Sequence, residues 1–231
     1  MKKPVLILIT IFIFSGLIMF YLKSIAREPK TLVSRFSFGK EGKGLGEFES
    51  VTGLTTIDDY LFAADSGNDR IQVLQIHPDG SLSAKFTFGK EGKNLGEFNG
   101  PLGFTTKDSY LFIADSGNSR IQVFQIHPDG SLTPKSTFGK EGKNLGELNG
   151  FSMLNLTAKD NHLFIADSGN SRIQIFQIHP DGSLTPKFTF GKRGANLGEF
   201  GDYLTALTIK ENYLVVFDIG NKRIQVLEIK Y

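Results

Sequence analysis

Ala-Asp-Ser-Gly-Asn-Ser-Arg-Ile-Gln-Val-Phe, at residues 114–124, is the stretch that decides the fold of this chain. Close copies lie at residues 64–74, 166–176 and 217–227. A Phe-Gly pair precedes each copy, and its glycines, spaced 50, 50 and 52 residues apart, are Gly39, Gly89, Gly139 and Gly191. A period of this size is typical of stacked supersecondary units that bury their apolar faces on one another. The sequence therefore predicts four packed repeats.

The second repeat shows what one unit contains. Residues 101–106, 110–114, 121–126 and 132–138 are short, apolar and rich in β-branched side chains, which predicts four strands. Asp115-Ser116-Gly117-Asn118 and His127-Pro128-Asp129-Gly130 separate them as tight turns, and we expect glycine and asparagine to supply positive φ angles there. Apolar and polar residues do not alternate cleanly, so both faces of the sheet should be covered. Such stacked four-stranded sheets are β-propeller blades.

The order of the strands predicts how the ring closes. Residues 33–38 match the fourth strand of a blade, and residues 224–229, at the other end, match the third. We expect these two segments to pair, so that a sixteenth strand completes the last blade and removes a free sheet edge. The predicted fold is therefore an all-β propeller of four four-stranded antiparallel blades over residues 31–231, with an N-terminal segment before it.

The N-terminal segment is apolar enough to cross a membrane. Lys2 and Lys3 precede the uncharged residues 4–22, whose 19 residues extend about 28 Å as a helix, close to the ~30 Å of a hydrocarbon core. We expect residues 1–23 to be a transmembrane anchor, residues 24–30 a linker, and the propeller to lie outside the cytoplasm on a single-pass protein. The alternative is a cleaved signal peptide and secretion, because Ser24 and Ala26 are small residues at a plausible cleavage site.

Composition and charge exclude several classes of function. The chain contains no cysteine, which rules out disulfides, thiolate zinc sites and thiol nucleophiles. Residues 31–231 carry 21 basic and 23 acidic side chains with the signs interspersed. Nucleic-acid binders normally present a basic stripe, because phosphate contacts dominate their affinity. We therefore expect no nucleic-acid partner.

The repeats resemble those of NHL-repeat β-propellers over residues 36–231. The likeness rests on residues 114–124, on Leu95-Gly96-Glu97-Phe98 and on Pro101-Leu102-Gly103. Propellers of that family most often have six blades, so four repeats leave open a small four-bladed ring or two chains that combine into a larger one. The repeated aspartates and arginines that the resemblance marks are Asp65, Arg70, Asp115, Arg120, Asp167, Arg172, Asp218 and Arg223. We interpret them as structural, with Asp capping turn amides and Arg clamping a turn; the alternative is a ring of ion pairs at a binding face.

No catalytic or metal-binding constellation stands out. Ser116, His127 and Asp129 recur in three equivalent copies, whereas a nucleophilic triad needs one asymmetric geometry and an oxyanion hole. The histidines of the repeated turn, His77, His127 and His179, should be spread around the ring rather than converge on a metal. We therefore predict no catalytic residues, no metal and no cofactor.

The preferred functional hypothesis is a membrane-anchored, non-catalytic scaffold that binds protein or peptide. Its face would combine the glycine-rich loops with the Asp-Ser-Gly-Asn turns, since both join strands in the same direction. The candidate surface residues are Lys40, Glu41, Lys90, Glu91, Lys140, Glu141, Lys192, Arg193, Asp202 and Tyr203. One alternative is a metal-dependent lyase or lactonase-like enzyme with a site in the channel near Thr55, Thr105, Thr157 and Thr208. Another is a structural module that assembles into a homo-oligomer, in which paired chains form eight blades.

Overall fold

The structure, a computed structural model, describes residues 12–14, 17–19, 33–149 and 154–230. The chain divides into two compact units, Met1–Arg35 and Phe36–Tyr231. In the first unit, β1 (Phe12–Phe14) and β2 (Leu17–Met19) form a two-stranded antiparallel sheet. In the second, β3 (Lys40–Glu41) and β4 (Glu47–Phe48) form a short parallel pair. The other strands of the second unit build four antiparallel sheets, which we number as blades 1 to 4.

The blades follow one another along the chain. Blade 1 contains β5 (Val51–Ile57), β6 (Tyr60–Asp65), β7 (Arg70–Ile76) and β8 (Leu82–Phe88). Blade 2 contains β9 (Pro101–Lys107), β10 (Tyr110–Asp115), β11 (Arg120–Ile126) and β12 (Leu132–Phe138). Blade 3 contains β13 (Leu154–Lys159), β14 (His162–Asp167), β15 (Arg172–Ile178) and β16 (Leu184–Phe190). Blade 4 contains β17 (Leu204–Lys210), β18 (Tyr213–Asp218) and β19 (Arg223–Glu228). The all-β, four-bladed architecture is confirmed.

The turn between the second and third strands departs from expectation in one detail. Ser116–Asn118 forms a single 3-10 turn, but the left-handed residue is Ser119, which follows the asparagine and has a φ of 51°. Gly117 is needed for space instead, because a Cβ there would lie 2.5 Å from the side chain of Asn99. The segment is thus a tight turn as predicted, and the glycine permits a close approach rather than a positive φ.

Apolar side chains fill each junction between blades. We call the side of a blade that faces the next one its front face and the opposite side its rear face. At the first junction, Phe62, Ile71 and Val73 of blade 1 share one fully buried cluster with Leu111 and Phe124 of blade 2. Burying one such side chain contributes about 1.5–3 kcal/mol. The same pattern repeats at the second and third junctions, which explains why the strands are apolar on both faces.

The predicted closure of the ring is wrong. Blade 4 has three strands, with β19 at its edge, and residues 33–39 form no strand. The innermost strands of successive blades lie side by side, β5 with β9, β9 with β13 and β13 with β17. No comparable packing joins β17 to β5 in the described part of the chain. Four blades stacked with this curvature do not bring the two ends together, so the described blades hold fifteen strands and not sixteen.

The expected membrane anchor lies mostly outside the described residues. Within residues 4–22 the structure describes only β1 and β2, which are strands and not the helix that we expected. Among all described residues, no helix has the length and hydropathy required to span a bilayer. The anchor, the signal-peptide alternative and the extracytoplasmic location all stay predictions.

Candidate functional site

The repeated aspartate of each blade is the centre of a buried polar network. In blade 2 the carboxylate of Asp115 is fully buried at the end of β10. It accepts hydrogen bonds from Arg120 Nε (2.7 Å), Gln122 Nε2 (3.0 Å), Asn118 Nδ2 (3.0 Å) and the backbone N–H of Asn99 (2.8 Å). A buried charge is tolerated only when it is paired and hydrogen-bonded, and this one meets both conditions.

The arginine extends the network to the glycine-rich loop, residues 89–100, which joins blade 1 to blade 2. The guanidinium of Arg120 donates to the backbone carbonyls of Lys93 (2.5 Å), Asn94 (2.8 Å) and Glu97 (2.8 Å). Gln122 also donates to Glu97 O at 2.6 Å. One side chain thus holds three backbone carbonyls of the loop in place. We call this arrangement the Asp–Arg clamp.

The clamp recurs in all four blades. The N–O distances are 2.7 Å for Arg70 and Asp65, 2.7 Å for Arg172 and Asp167, and 3.2 Å for Arg223 and Asp218. Each clamp joins a loop and a turn of its own blade, and it does not form a ring of charges open to a ligand. In blade 2 the carboxylate bonds a loop amide and does not cap the 3-10 turn, whereas in blade 4 Asp218 also accepts the turn amide of Asn221 at 3.3 Å. The structural role of these eight residues stays a prediction.

Two of these carboxylates have shifted acidity. Burial alone would raise the pKa of Asp65, but hydrogen bonds from the Glu49 amide and from Asn68, Arg70 and Gln72 outweigh it and hold the pKa below its ordinary value. The pKa of Asp218 is lowered in the same way, against the effect of burial. Both groups are therefore held in their charged form by the network around them.

The candidate lysines for partner binding each form an ion pair with a glutamate of their own loop. Lys90 Nζ lies 3.3 Å from Glu97, and a hydrogen bond from the Asn94 amide lowers the pKa of that glutamate. The equivalent lysines Lys40, Lys140 and Lys192 pair with Glu47, Glu147 and Glu199. Glu91, like Glu41 and Glu141, lies on the same loops, where its backbone bridges to Phe98. Partner recognition at this face stays a prediction.

Blade 4 carries the loop-side residues that break the repeat. Arg193 and Asp202 form an exposed ion pair at 2.7 Å. Tyr203 follows with a φ of 71° and an exposed ring. All three residues lie in the segment between β16 and β17.

The opposite side of the domain holds a cleft of about 690 Å3 between blades 1 and 2. It is lined by Ile57, Asp58, Asp108, Ser109, Gln125, Ile126, His127, Pro128, Thr133 and Lys135. His127 Nε2 lies 2.7 Å from Thr133 Oγ1, and Gln125 Nε2 donates to Ser109 Oγ at 2.8 Å. The cleft therefore combines an imidazole, two carboxylates, an ammonium and an amide around a volume that suits a small molecule.

Sequence analysis missed this cleft because its residues repeat. His127 and Lys135 have counterparts in blades 1 and 3, so their periodicity indicated a role in each of these blades and not a single site. His127 and Lys135 differ from their counterparts in the side chains of the neighbouring blade that face them across the cleft. The repeat pattern does not show which side chains of two blades face each other. Ser116 is buried, and its hydroxyl accepts the Leu154 amide at 3.2 Å.

A metal centre does not emerge from the described residues. Among residues 33–149 and 154–230, no group of three or more His, Asp or Glu side chains is placed to hold an ion. The innermost strands near Thr55, Thr105, Thr157 and Thr208 supply hydroxyls where the enzyme alternative required carboxylates or imidazoles.

Comparison with known proteins identifies a family. Residues 51–230 match the family described as lactonase, seven-bladed β-propeller. Among solved structures, the chain is similar to a candidate 6-phosphogluconolactonase from Bacteroides uniformis ATCC 8492, with 20% identity, a TM-score of 0.60, and coverage of 77% of this chain and 50% of that one. No curated protein matches the chain.

Two further solved structures are similar to the chain in fold. A protein of unknown function from Desulfotomaculum acetoxidans DSM 771 has 12% identity and a TM-score of 0.54, with coverage of 79% of this chain and 62% of that one. The periplasmic gluconolactonase of Pseudomonas aeruginosa has 15% identity and a TM-score of 0.51, with coverage of 78% and 54%. Identities this low establish the fold alone. The chain spans only about half to three-fifths of these proteins.

The comparisons refine the family predicted from the repeats. A β-propeller is confirmed, whereas the NHL type of repeat stays a prediction. Propellers of the family have seven blades, whereas the structure describes four blades in this chain. This difference agrees with the lack of closure between blades 4 and 1. Because the match covers residues 51–230, well over half of the sequence, the chain belongs to the lactonase family of seven-bladed β-propellers.

Proposed function

We propose that this protein hydrolyses a small lactone of the sugar-acid type in the cleft between blades 1 and 2. The observation that supports this most is the family match over residues 51–230. The names of two structural neighbours, a candidate 6-phosphogluconolactonase and a gluconolactonase, indicate the class of substrate. The proposal replaces the non-catalytic scaffold as the preferred function, since nothing in the comparisons supports peptide binding.

The cleft offers groups suited to lactone opening. Water adds to the lactone carbonyl, and the ring C–O bond then breaks to give a hydroxy acid. With Nε2 of His127 engaged by Thr133, its Nδ1 accepts the proton of the attacking water and returns it to the departing alkoxide. The ammonium of Lys135 stabilises the negative charge that develops on the carbonyl oxygen, or binds a phosphate carried by the sugar.

Further polar residues of the cleft position the substrate. Gln125 is held by Ser109, so its amide has a fixed orientation toward the cleft. Asp58 and Asp108 lie at the rim and can accept hydrogen bonds from sugar hydroxyls. This division places the reacting carbonyl near His127 and the sugar hydroxyls near Asp58 of blade 1 and Asp108 of blade 2.

The proposal is tested by lactone hydrolysis with matched histidine variants. Purified protein should open δ-gluconolactone or its 6-phosphate faster than the buffer blank. His127→Gln should lower kcat/KM at least tenfold, since general acid–base catalysis contributes about 10²–10⁴-fold. His179→Gln is the control, because His179 makes the same bond to Thr185 (2.8 Å) in blade 3 but lies outside the cleft.

Two outcomes would overturn the assignment. One is no hydrolysis above the blank for either lactone. The other is an equal loss in both histidine variants, which would mean that the turn matters only for folding. Lys135→Met adds a further distinction: it should raise KM for the phosphorylated lactone more than for the neutral one.

A further inference from the structure

We propose that Ile57 and Asp58 determine which junction of this chain binds a ligand, and that they favour a ring with adjacent hydroxyl groups. Because this inference rests on the proposed function, it concerns the same cleft between blades 1 and 2. It adds the residues that distinguish this cleft from the equivalent place between blades 2 and 3. It also names the chemical feature that the ligand needs.

The first and second junctions carry nearly the same side chains. All but two of the residues that line the cleft are identical to their counterparts one repeat further along the chain. The exceptions are Ile57, which corresponds to Lys107, and Ser109, which corresponds to Asn161. The second exchange leaves the neighbouring glutamine in place, because both residues accept its side-chain amide on their backbone carbonyl. Position 57 is therefore the main difference between the two junctions.

The turn that holds this position has the same backbone in successive blades. Its acidic residue is left-handed throughout, with φ angles of 49° at Asp58, 52° at Asp108 and 51° at Asp160. The residue before it pairs across the turn with the first residue of the second strand, as Ile57 does with Tyr60. The same register holds in blades 2 and 3. The turns therefore differ in their side chains and not in their course.

The histidine side of the two junctions is built in the same way. A Cβ at Gly130 would lie 2.6 Å from the ring of Tyr60, and a Cβ at Gly182 would lie 2.6 Å from the ring of Tyr110. The His-Pro-Asp-Gly turn of blade 3 therefore packs on blade 2 as that of blade 2 packs on blade 1. The turn histidine bonds a threonine of the fourth strand at 2.7 Å in blade 2 and at 2.8 Å in blade 3. This side is thus equivalent at both junctions, and the side that carries position 57 differs.

A lysine pairs with the acidic residue of this turn in blades 2, 3 and 4. The pairs and their N–O distances are Lys107–Asp108 (2.6 Å), Lys159–Asp160 (3.2 Å) and Lys210–Glu211 (3.6 Å). In blade 1 the residue before the acid is Ile57, and Asp58 forms no ion pair with any residue that the structure describes. Both carboxylate oxygens of Asp58 are therefore open to a ligand, whereas those of Asp108 already have a cation beside them.

These two side chains suit a polyhydroxylated ring. Ile57 packs against the apolar core of the first junction, so it presents a fixed apolar surface to the C–H face of a sugar ring. The carboxylate of Asp58 can accept hydrogen bonds from two adjacent hydroxyls, and such charge-assisted bonds are stronger than neutral ones. At the second junction the side chain of Lys107 is 27% exposed, so its longer stem fills space at the place where Ile57 borders a cleft. The first junction therefore favours the ligand in both space and hydrogen bonding.

Binding of an unreactive ring tests the inference separately from hydrolysis. D-Glucono-δ-lactam keeps the ring and the hydroxyls of δ-gluconolactone, and its amide resists hydrolysis. Equilibrium dialysis of the radiolabelled lactam against purified full-length protein should give one site per chain. δ-Valerolactam, which has the same ring without hydroxyls, should compete at least tenfold more weakly, because it cannot donate hydrogen bonds from hydroxyls to the carboxylate of Asp58.

Exchanging position 57 between the junctions gives the decisive comparison. Ile57→Lys should weaken lactam binding at least tenfold, and it should fold because blades 2 and 3 already carry lysine at this position. Lys107→Ile should create a second site between blades 2 and 3, so the number of sites should approach two per chain. Circular dichroism checks the fold of each variant.

Lys159→Ile is the matched control for the gained site. It makes the same change on blade 3, but the next blade has Lys230 in the place of His127 and Glu228 in the place of Gln125. This variant should therefore stay at one site per chain. A second site in both lysine variants would overturn the inference, since it would mean that the loss of any lysine on this turn opens nonspecific binding.

The outcomes separate this inference from the proposed function. Protein that binds the lactam with dependence on Ile57, but opens neither lactone, would support the inference and refute the hydrolase. Hydrolysis that Ile57→Lys leaves unchanged would support the hydrolase and overturn the inference. The inference is also overturned if the wild-type protein does not bind the lactam, or if Lys107→Ile gains no site.

Discussion

At the residue scale, the Asp–Arg clamp explains why so few positions define the repeat. Asp115 needs a cation and three amide donors around it, and each donor comes from a different part of the blade. Replacing any of them leaves a buried charge without full compensation. The sequence predicted a structural role for this pair from its recurrence. It did not predict that the arginine binds the loop carbonyls, because that contact depends on how the loop folds back over β11.

Removing the cation of a clamp should be far more costly than removing an exposed one. Arg120→Met should lower the free energy of unfolding by about 3 kcal/mol, because Asp115 then stays buried without its ion pair. Lys107→Met is the matched control: its partner Asp108 is largely exposed, and such pairs contribute about 0–1 kcal/mol. Urea unfolding followed by circular dichroism measures both. Equal losses would contradict the structural role of the clamp.

At the element scale, the glycine-rich loops are shaped by close contacts. Gly89 has a φ of +92°, and a Cβ there would lie 2.5 Å from the ring of Phe98, which is itself fully buried between blades. Gly80, in the turn after β7, has a similar φ of +88° but nothing within 4 Å. The two glycines thus share one backbone conformation and differ in their surroundings.

Alanine substitution separates these two effects. Gly80→Ala should cost about 1–2 kcal/mol, the strain of a left-handed alanine. Gly89→Ala should lower the free energy of unfolding by more than Gly80→Ala does, because the new Cβ would also collide with the buried ring of Phe98. Thermal unfolding of both variants provides the comparison. If the two variants lose the same stability, the contact with Phe98 is not a constraint on the loop.

The strands were predictable because their signals are local. The predicted segments 110–114, 121–126 and 132–138 fall within β10, β11 and β12, and the turns between them lie where Gly, Pro and Asp indicated. Whether residues 33–38 pair with β19 was not predictable in the same way, and the expected pairing does not form. It depends on the angle between blades, to which every side chain at three junctions contributes, and no short sequence window contains that information.

At the scale of the whole molecule, the number of repeats determines both the number of blades and the lack of closure between blade 4 and blade 1. Four blades arise from four periods, and the chain belongs to a family whose propellers have seven blades. The cleft with His127 also belongs to this scale, since it exists only where two blades meet. The sequence of one blade contains most of the residues that line the cleft, but it does not show that they lie next to residues of the neighbouring blade.

Acid should destabilise the whole domain through the clamps. The folded-state pKa of Asp65 and Asp218 lies below the ordinary value of 3.8. A lowered pKa contributes stability that is fully present above the unfolded-state value and is lost as the pH falls through the folded-state value. The free energy of unfolding should therefore be flat near pH 7 and fall below about pH 4. Asp65→Asn should be less stable at pH 7 and should show a shallower fall, which urea titrations at pH 7, 4 and 2.5 would measure; a variant with an unchanged acid slope would contradict this.

The position of the clamp within the repeat has a consequence for how such proteins evolve. Arg120, Asp115 and the loop carbonyls that they hold all lie between Gly89 and Phe138, and so within a single period. Duplication or deletion of one period in a gene would therefore carry every partner of a clamp with it and separate none. We expect lineages to gain and lose whole blades by recombination while each remaining blade keeps its internal bonds.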